Sequence, residues 1–392
     1  MKASLRSSTR APGFRNANLH QRRQLTLAQG DQVLLREVQR RHVAPVLTRP
    51  LKPGKKIESH NGIILHDEII GKSLRDTVTS RRKQGTEGSV YRIHEVKLEE
   101  WVRLTQRLVT PIYPADANLI IELFDIHVSP PSPNAKEQDS QRLEILEAGT
   151  GHGALTIYLS RAIHAANSPR YKGDDAEEDI ETWKGTRRAI LHTIEKRATF
   201  SAHAAAQVAG FRRGLYSDNV DFHVGDVGEW CEQQLAVRGQ GFLNYAFLDM
   251  PGADQHLKVV TQSLKADGTL IVFNPSITQI ADCASTIWQQ DIPLYLEKTV
   301  ELGQNAGSGG REWDIRLSQP KAERSLPSSD TLPHDLTENV KESSRAEDVS
   351  DDSTTHGCDA QSPPQVTSRM VCRPKVGDRI AGGGFVGVFK KM

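Results

Sequence analysis

Cysteine is scarce: the 392 residues hold four, Cys231, Cys283, Cys358 and Cys372, and no CxxC pair. That spacing argues against a disulfide scaffold and against a zinc site, and it fits a reducing compartment. No metal centre is expected. No apolar run is long enough to span a bilayer, so no membrane partner is expected. Net charge is almost absent, at +1. Near-neutrality does not exclude nucleic acid, because charge can be segregated along a chain. The length suits two domains, or one with appendages.

Charge is segregated here. Residues 1–30 contain Lys2, Arg6, Arg10, Arg15, Arg22 and Arg23, and the first acid is Asp31. Serines and Leu19, Leu25 and Leu27 are interspersed. Over 1–28 this is the composition of a mitochondrial presequence, and a basic tail that touches RNA is the alternative. Residues 29–95 read as a small β-rich domain. "DQVLLREV" alternates apolar and polar residues, and "RPLKPGKKIESHNGIILHDEIIGK" sets Pro-Gly and Asn-Gly turns between apolar runs. Its cations include Arg40, Arg41, Arg49, Lys52, Lys55, Lys56, Lys72, Arg75, Arg81, Arg82 and Lys83. They could meet phosphates or form a solvated surface.

From 96 to 317 the pattern becomes α/β. Helical spacing in "KLEEWVRLTQRLV" and "PADANLIIELFDIHV" precedes a loop, "SPPSPNAKEQDSQ". Apolar strands then alternate with helices: "RLEILEAG", "RRAILHTIEK", "NVDFHVGDV", "LNYAFLDM", "GTLIVFNP" and "LYLEKTVELG" are the strands. Such repetition predicts a doubly wound parallel sheet. Residues 165–186 read as a polar insertion. Residues 318–366, rich in Ser, Asp, Glu and Pro, are expected to be disordered. Residues 367–392 supply a final strand, "GGGFVGVFKKM", antiparallel to "REWDIRLS" or to "LEKTVELG".

"LEILEAGTGHGALTIYLSRAI" places Glu147, Gly149, Gly151 and Gly153 where the first of these strands becomes a helix. A dinucleotide turn wants G-x-G-x-x-G or -A, and Ala154 fills the third place, so this motif alone leaves the cofactor open. Two acids narrow it. Glu195 ends the second strand, where it can grip ribose hydroxyls, and Asp226 ends the third, where it can reach an adenine amino group or cap a helix. A nucleoside cofactor without a pyrophosphate needs acids more than phosphate-binding amides, and S-adenosylmethionine is of that kind. Asp249, at the end of the fourth strand in "FLDMPG", stands where transfer chemistry would need a carboxylate; a turn Asp before Pro251 is the alternative.

The ordered set "GIILHDEIIGKSLRD", "RLVTPIYPADANLI", "LEAGTGHGALT", "IEKR", "GDV", "FLDMP" and "FNPSITQI" resembles the catalytic-subunit family of tRNA (adenine-58-N1)-methyltransferases. The resemblance runs over roughly 30–317 and again from about 370. It implies a class I methyltransferase, or Rossmann-like, α/β fold with an antiparallel last strand behind a small β-rich N-terminal domain. It implies S-adenosylmethionine contacts from Glu147, Gly149, Thr150, Gly151, Gly153, Glu195 and Asp226. Tyr113, Pro114 and Asp116 would complete that pocket from before the sheet, and Asp249 would be the catalytic aspartate. It further implies a tRNA substrate, and a homo-tetramer or a hetero-tetramer with a noncatalytic paralogous subunit, in the mitochondrion or alternatively the nucleus. Two departures stand out: His152 occupies a place where a small residue is usual, and "GADQHL" replaces an apolar stretch after Pro251. The competing readings are methyl transfer to another RNA base or to protein, and a noncatalytic RNA-binding subunit. A nicotinamide-dependent dehydrogenase would need a Tyr-Lys or His-Asp set that the sequence does not display.

Overall fold

The computed structural model describes residues 26–40, 43–59, 61–82, 86–131, 142–168, 180–303, 313–318, 369–374 and 383–392. The basic segment as far as residue 25, much of the polar stretch 165–186 and nearly all of 318–366 lie outside the described residues, as do Arg41 and Lys83.

The N-terminal portion is an antiparallel sheet of six strands: β1 (Leu34–Glu37), β2 (Val46–Leu47), β3 (Lys56–Ser59), β4 (Gly62–Leu65), β5 (Thr77–Arg81) and β6 (Glu87–His94), ordered β2-β1-β6-β5-β4-β3. The Asn61-Gly62 signal does turn β3 into β4. Gly62 has φ +123, and a Cβ there would meet the Arg81 carbonyl oxygen at 2.6 Å, so only glycine fits. Period-two alternation divides two adjacent leucines between two cores. Leu35 packs with Val33, Ile64, Val78 and Ile93 inside this sheet, while Leu34 packs with Trp101 and Val102 of the following helix, α1 (Leu98–Leu104). Ion pairs Arg213–Asp31 and Arg36–Glu100 tie the same strand region to the second sheet's domain.

That second sheet has seven described strands: β7 (Leu143–Ala148), β8 (Ala189–Glu195), β9 (Val220–Val224), β10 (Leu243–Leu248), β11 (Leu264–Asn274), β12 (Leu294–Leu302) and β15 (Gly384–Lys391). From one edge it runs β9-β8-β7-β10-β11-β15-β12. All pairs are parallel except those of β15, which is antiparallel to both β11 and β12. Of the two partners weighed for the last strand, the "LEKTVELG" segment is the one used. "REWDIRLS" goes elsewhere: β13 (Trp313–Ser318) pairs antiparallel with β14 (Arg369–Pro374) in a separate unit. The stretch 367–392 therefore carries two strands rather than one.

Both faces of the parallel strands are apolar, which is why they read as near-continuous hydrophobic runs. Ile145, Leu191, Phe247 and Ile271 pack on one side with α2 (Pro114–Phe124), α3 (Ala154–Ile163) and α5 (Ala198–Gly210). Leu146, Ile194, Leu248 and Val272 pack on the other with α6 (Val227–Arg238), α7 (Ala253–Ser263) and α8 (Ile277–Gln289). A short helix, α4 (Ile180–Thr186), lies in the segment read as a polar insertion. The sequence reading assigned no element to α6. Three of its apolar residues, Val227, Trp230 and Cys231, are buried at i, i+3 and i+4, directly after the capping Asp226. Among the described residues no helix is long and apolar enough to cross a membrane.

At the far end of the sheet from the glycine turn, Glu144 is buried and held by Arg238, whose Nη1 lies 2.8 Å from Oε2, and by His192 Nε2 at 3.0 Å. Burial acts to raise its pKa, but the hydrogen bonds and charge of His192 and Arg238 outweigh burial and hold it at about 2, below the ordinary 4.5. The depressed value stabilises the fold fully above about pH 4.5, and that contribution is lost as pH falls towards 2. Glu144→Ala strands Arg238 and is expected to cost about 3 kcal/mol. Urea unfolding of both proteins at neutral pH and near pH 3 checks this; the difference should shrink in acid.

Candidate cofactor pocket

Ligands bind at the carboxyl edge of an open α/β sheet where strand order reverses. Here that point lies beside β7, between β8 and β10. The residues leaving β7 and β10 meet around one cavity lined by Thr110, Pro111, Ile112, Glu147, Gly149, Thr150, Gly151, His152, Ala154, Leu155, Phe247 and Asp249. Parallel register sets Glu147 opposite Thr193 on β8 and Phe247 on β10. Glu195 and Asp249 each lie two residues further along, so alternation carries all three acids towards the same face.

The glycine turn is shaped by close approach. Gly149 has φ +90, and a Cβ on it would sit 2.0 Å from the Asp249 carbonyl oxygen. Gly153, at φ +81, starts α3, and its added Cβ would press on Ala204 of α5 at 3.0 Å. The turn's three glycine amides are already used: Gly149 donates to the Ile194 carbonyl at 2.9 Å, Gly153 to the Thr150 carbonyl at 2.9 Å, and Gly151 to Glu195 Oε2 at 3.1 Å. A pyrophosphate cradle needs such amides free and pointing at the ligand. With three carboxylates alongside, the turn is ill suited to a dinucleotide, which settles what its spacing alone left open.

Glu147 is 1 % exposed, and its Oε2 accepts from Thr156 Oγ1 at 2.7 Å and Thr193 Oγ1 at 2.8 Å. Burial, with repulsion from Asp249 and Glu195, pushes its pKa up to about 8 against those two hydrogen bonds. Burial and Glu195 push the half-buried Asp249 up to about 7. Thr150 is buried, its hydroxyl 2.6 Å from that of Thr193. His152 is 3 % exposed; burial, with His203 and Arg107, lowers its pKa to about 4, so it is neutral. Among the described residues its Nδ1 has no hydrogen-bond partner.

Other expected residues stand apart from this cavity. Asp226 is the N-cap of α6, where its Oδ1 accepts from the Gly228 amide at 2.7 Å while Oδ2 pairs with Lys196 at 2.9 Å. The Lys196 contact leads in lowering its pKa. The capping alternative is thus realised, and a carboxylate still has lone pairs beyond these two contacts. With Gln255 and His256 from the "GADQHL" segment, Asp226 lines a second, open groove between α6 and α7. Asp116 is also redirected. It is buried in the first turn of α2, accepts a backbone hydrogen bond from Gly303 after β12, and has a pKa raised by burial. Pro114 is the first residue of α2, and Tyr113 lies under the Arg107 guanidinium, 5.6 Å from its ring centre.

The cavity wall supplied from before the sheet is instead Thr110, Pro111 and Ile112, three residues upstream of those expected. They belong to an irregular stretch held by Gln106, whose carbonyl lies 3.0 Å from His203 Nε2, and by Trp101 Nε1 donating to the Gln207 carbonyl at 3.2 Å. No periodicity marks such residues in a sequence. Phe247 and Leu155 likewise carry only a strand and a helix pattern in the sequence, and Ala154 only the third place of the glycine motif.

Comparisons with known proteins agree with this geometry. Residues 26–73 match the family model described as TrmI-like N-terminal. The chain is 27 % identical over 266 residues to the tRNA (adenine(58)-N(1))-methyltransferase TrmI of Thermus thermophilus, covering 68 % of this chain and 82 % of that protein. Among solved structures, it is similar to a SAM-dependent O-methyltransferase from Thermotoga maritima, with TM-score 0.53, 17 % identity, and coverage of 94 % of this chain and 95 % of the other. It is also similar to the tRNA (m1A58) methyltransferase TrmI of Aquifex aeolicus, with TM-score 0.52, 16 % identity, and coverage of 94 % and 99 %. The chain is thus similar to the TrmI tRNA methyltransferases over 68 % of its length, with residues 26–73 matching a TrmI-like N-terminal domain, and it shares the fold of solved methyltransferase structures.

Proposed function

We propose that this chain is an S-adenosylmethionine-dependent tRNA methyltransferase that forms 1-methyladenosine at position 58 of the T-loop. The observation that carries the reading is the convergence of Glu147 and Asp249 on one cavity whose glycine amides are already engaged, that of Gly151 by Glu195. Its donor set fits a cationic nucleoside and not a pyrophosphate. Glu147, Gly149, Thr150, Gly151, Gly153 and Glu195 would hold the cofactor, with Asp226 at the adenine end and Thr110–Ile112 over it. When bound, the cofactor supplies an activated methyl group for in-line displacement.

The chain's own part is orientation and electrostatics. Adenine N1 has a lone pair and needs no strong base, but methylation leaves a cation on the ring. The Asp249 carboxylate, fixed by its amide donating to the Ala148 carbonyl at 2.9 Å, would stabilise that developing charge. The target base is extruded from the tRNA fold to reach the cleft. Exposed Arg49, Lys52, Lys55, Arg75 and Arg82 of the N-terminal sheet support phosphate contact. Arg40, Lys56, Arg81 and Lys72 are engaged with Glu37, Glu58, Glu68 and the Thr77 carbonyl. The basic, acid-free first thirty residues support a mitochondrial destination, and a tetrameric assembly, alone or with a paralogous subunit, is proposed on the sequence resemblance alone. The domain limits 29–95 and 96–317 are proposed on the same ground.

Calorimetric titration of the full chain is expected to show S-adenosylmethionine binding and no heat with NAD. Gel shift should show tRNA retained at low salt and released as salt rises. NAD binding without S-adenosylmethionine binding would contradict the reading.

A further inference from the structure

Glu147 and Asp249 form a pair of acids in a pocket that supplies them no counter-charge. Among the described residues no Lys or Arg pairs with either. The facing groups, element by element, are few. From β8 come the Thr193 hydroxyl and the acid Glu195; from α3, the Thr156 hydroxyl; and from the turn, His152, which is neutral. The nearby cations are committed elsewhere: Lys196 pairs with Asp226, and Arg107 lies over Tyr113. A second observation points to a ligand. His152 lines the same cavity, is 3 % exposed, and among the described residues its Nδ1 has no hydrogen-bond partner, which native interiors seldom tolerate.

We infer that Glu147 and Asp249 share an excess proton in the ligand-free protein and release it when a cation enters the pocket, so that the site distinguishes a sulfonium from a neutral thioether by proton exchange. This inference rests on the cofactor reading given above. Like charges brought together in a low-dielectric site cannot both ionise cheaply, so one acid keeps its proton near neutral pH. The directions agree: burial raises both groups, with repulsion from Asp249 and Glu195 added at Glu147 and from Glu195 added at Asp249, to about 8 and about 7. A sulfonium brings the missing positive charge, lowers the proton affinity of the pair, and sends the proton to solvent. The demethylated thioether lacks that charge and leaves the proton in place. By linkage, affinity for the charged cofactor relative to its product should rise with pH, by up to about tenfold per unit for one proton exchanged, and level off once the pair is ionised in the free protein.

The test titrates the full chain with S-adenosylmethionine and with S-adenosylhomocysteine near neutral pH, in two buffers of different ionisation enthalpy. The buffer dependence of the heat counts protons. Expected is a release of about one proton with the sulfonium and well under half of one with the thioether. Glu147→Gln and Asp249→Asn should each reduce the release, with near-ultraviolet circular dichroism verifying that each variant is folded. Two folded-protein results would overturn the inference: equal proton counts for the two ligands, or an affinity ratio that does not change between about pH 6 and 8. Absence of binding by either ligand would overturn the cofactor reading itself, and this inference with it.

Discussion

Gly149→Ala is expected to weaken S-adenosylmethionine binding by about a hundredfold or more while leaving the protein folded. The added methyl would lie 2.0 Å from the Asp249 carbonyl oxygen, which is backbone and cannot swing aside. The φ of +90 is strained for any residue with a Cβ, at a cost of about 1–3 kcal/mol. Relief requires the ends of β7 and β10 to separate, which moves Glu147 relative to Asp249. A displacement on the order of 1 Å in a site of this kind costs about 10²-fold. Calorimetric titration measures the binding loss, and a melting curve measures the fold. Gly54, in an open turn where an added Cβ meets nothing within 4 Å, is the control. Gly54→Ala should leave cofactor affinity unchanged.

Asp249→Asn is expected to lower kcat by about 10²–10³-fold, with cofactor affinity changed by less than about tenfold. Asparagine keeps the shape and loses the charge that would face the methylated base. The acid limb of the pH profile follows from the same residue. Burial and Glu195 raise its pKa to about 7, so the active carboxylate is lost as pH falls through that value. Wild-type kcat/KM, which reports the cofactor-free protein, should therefore decline below about pH 7, while kcat at saturating cofactor holds to lower pH because the bound sulfonium lowers the pair's proton affinity; the residual activity of the variant should lack this dependence. Single-turnover rates across the pH range check both. Wild-type turnover in the variant would remove Asp249 from the mechanism.

Much of the fold was legible because its determinants are local. The central strands β7, β8, β10 and β11 are rich in buried apolar residues, and all six strands that precede the final one in the second sheet are followed by a break, so strand and helix periods could be told apart. The Asn61-Gly62 turn announced its hairpin by chemistry. Helix α6 was not assigned because its apolar residues are not confined to one face, Val237 being exposed, and because Asp226 suits a ligand group as well as a helix start. Segment β13 carries a strand pattern that cannot say which of two partners it takes, and it pairs with β14 rather than β15. Pairing over such separations is a tertiary choice that no window of sequence encodes.

The candidate site divides along the same line. Glu147, Gly149, Thr150, Gly151 and Asp249 lie at strand ends and line the cavity, as strand ends in such sheets should. Glu195 acts one step back, through the Gly151 amide. Asp116 was expected near the ligand by its place in the chain, yet its side chain turns to the Gly303 amide. Thr110, Pro111 and Ile112 take the wall position because the coil between α1 and α2 is pinned by long-range contacts to Gln207 and His203. Those contacts join residues about a hundred positions apart, and neither composition nor period reveals them.

The central claim is tested most directly by mapping methyl transfer. The purified chain is incubated with labelled S-adenosylmethionine and two T-loop transcripts that differ only in whether the target adenine is present, and the RNA is digested to nucleosides. The account predicts labelled 1-methyladenosine from the intact transcript and none from the other. Label in a different nucleoside, or equal label in both transcripts, would contradict it.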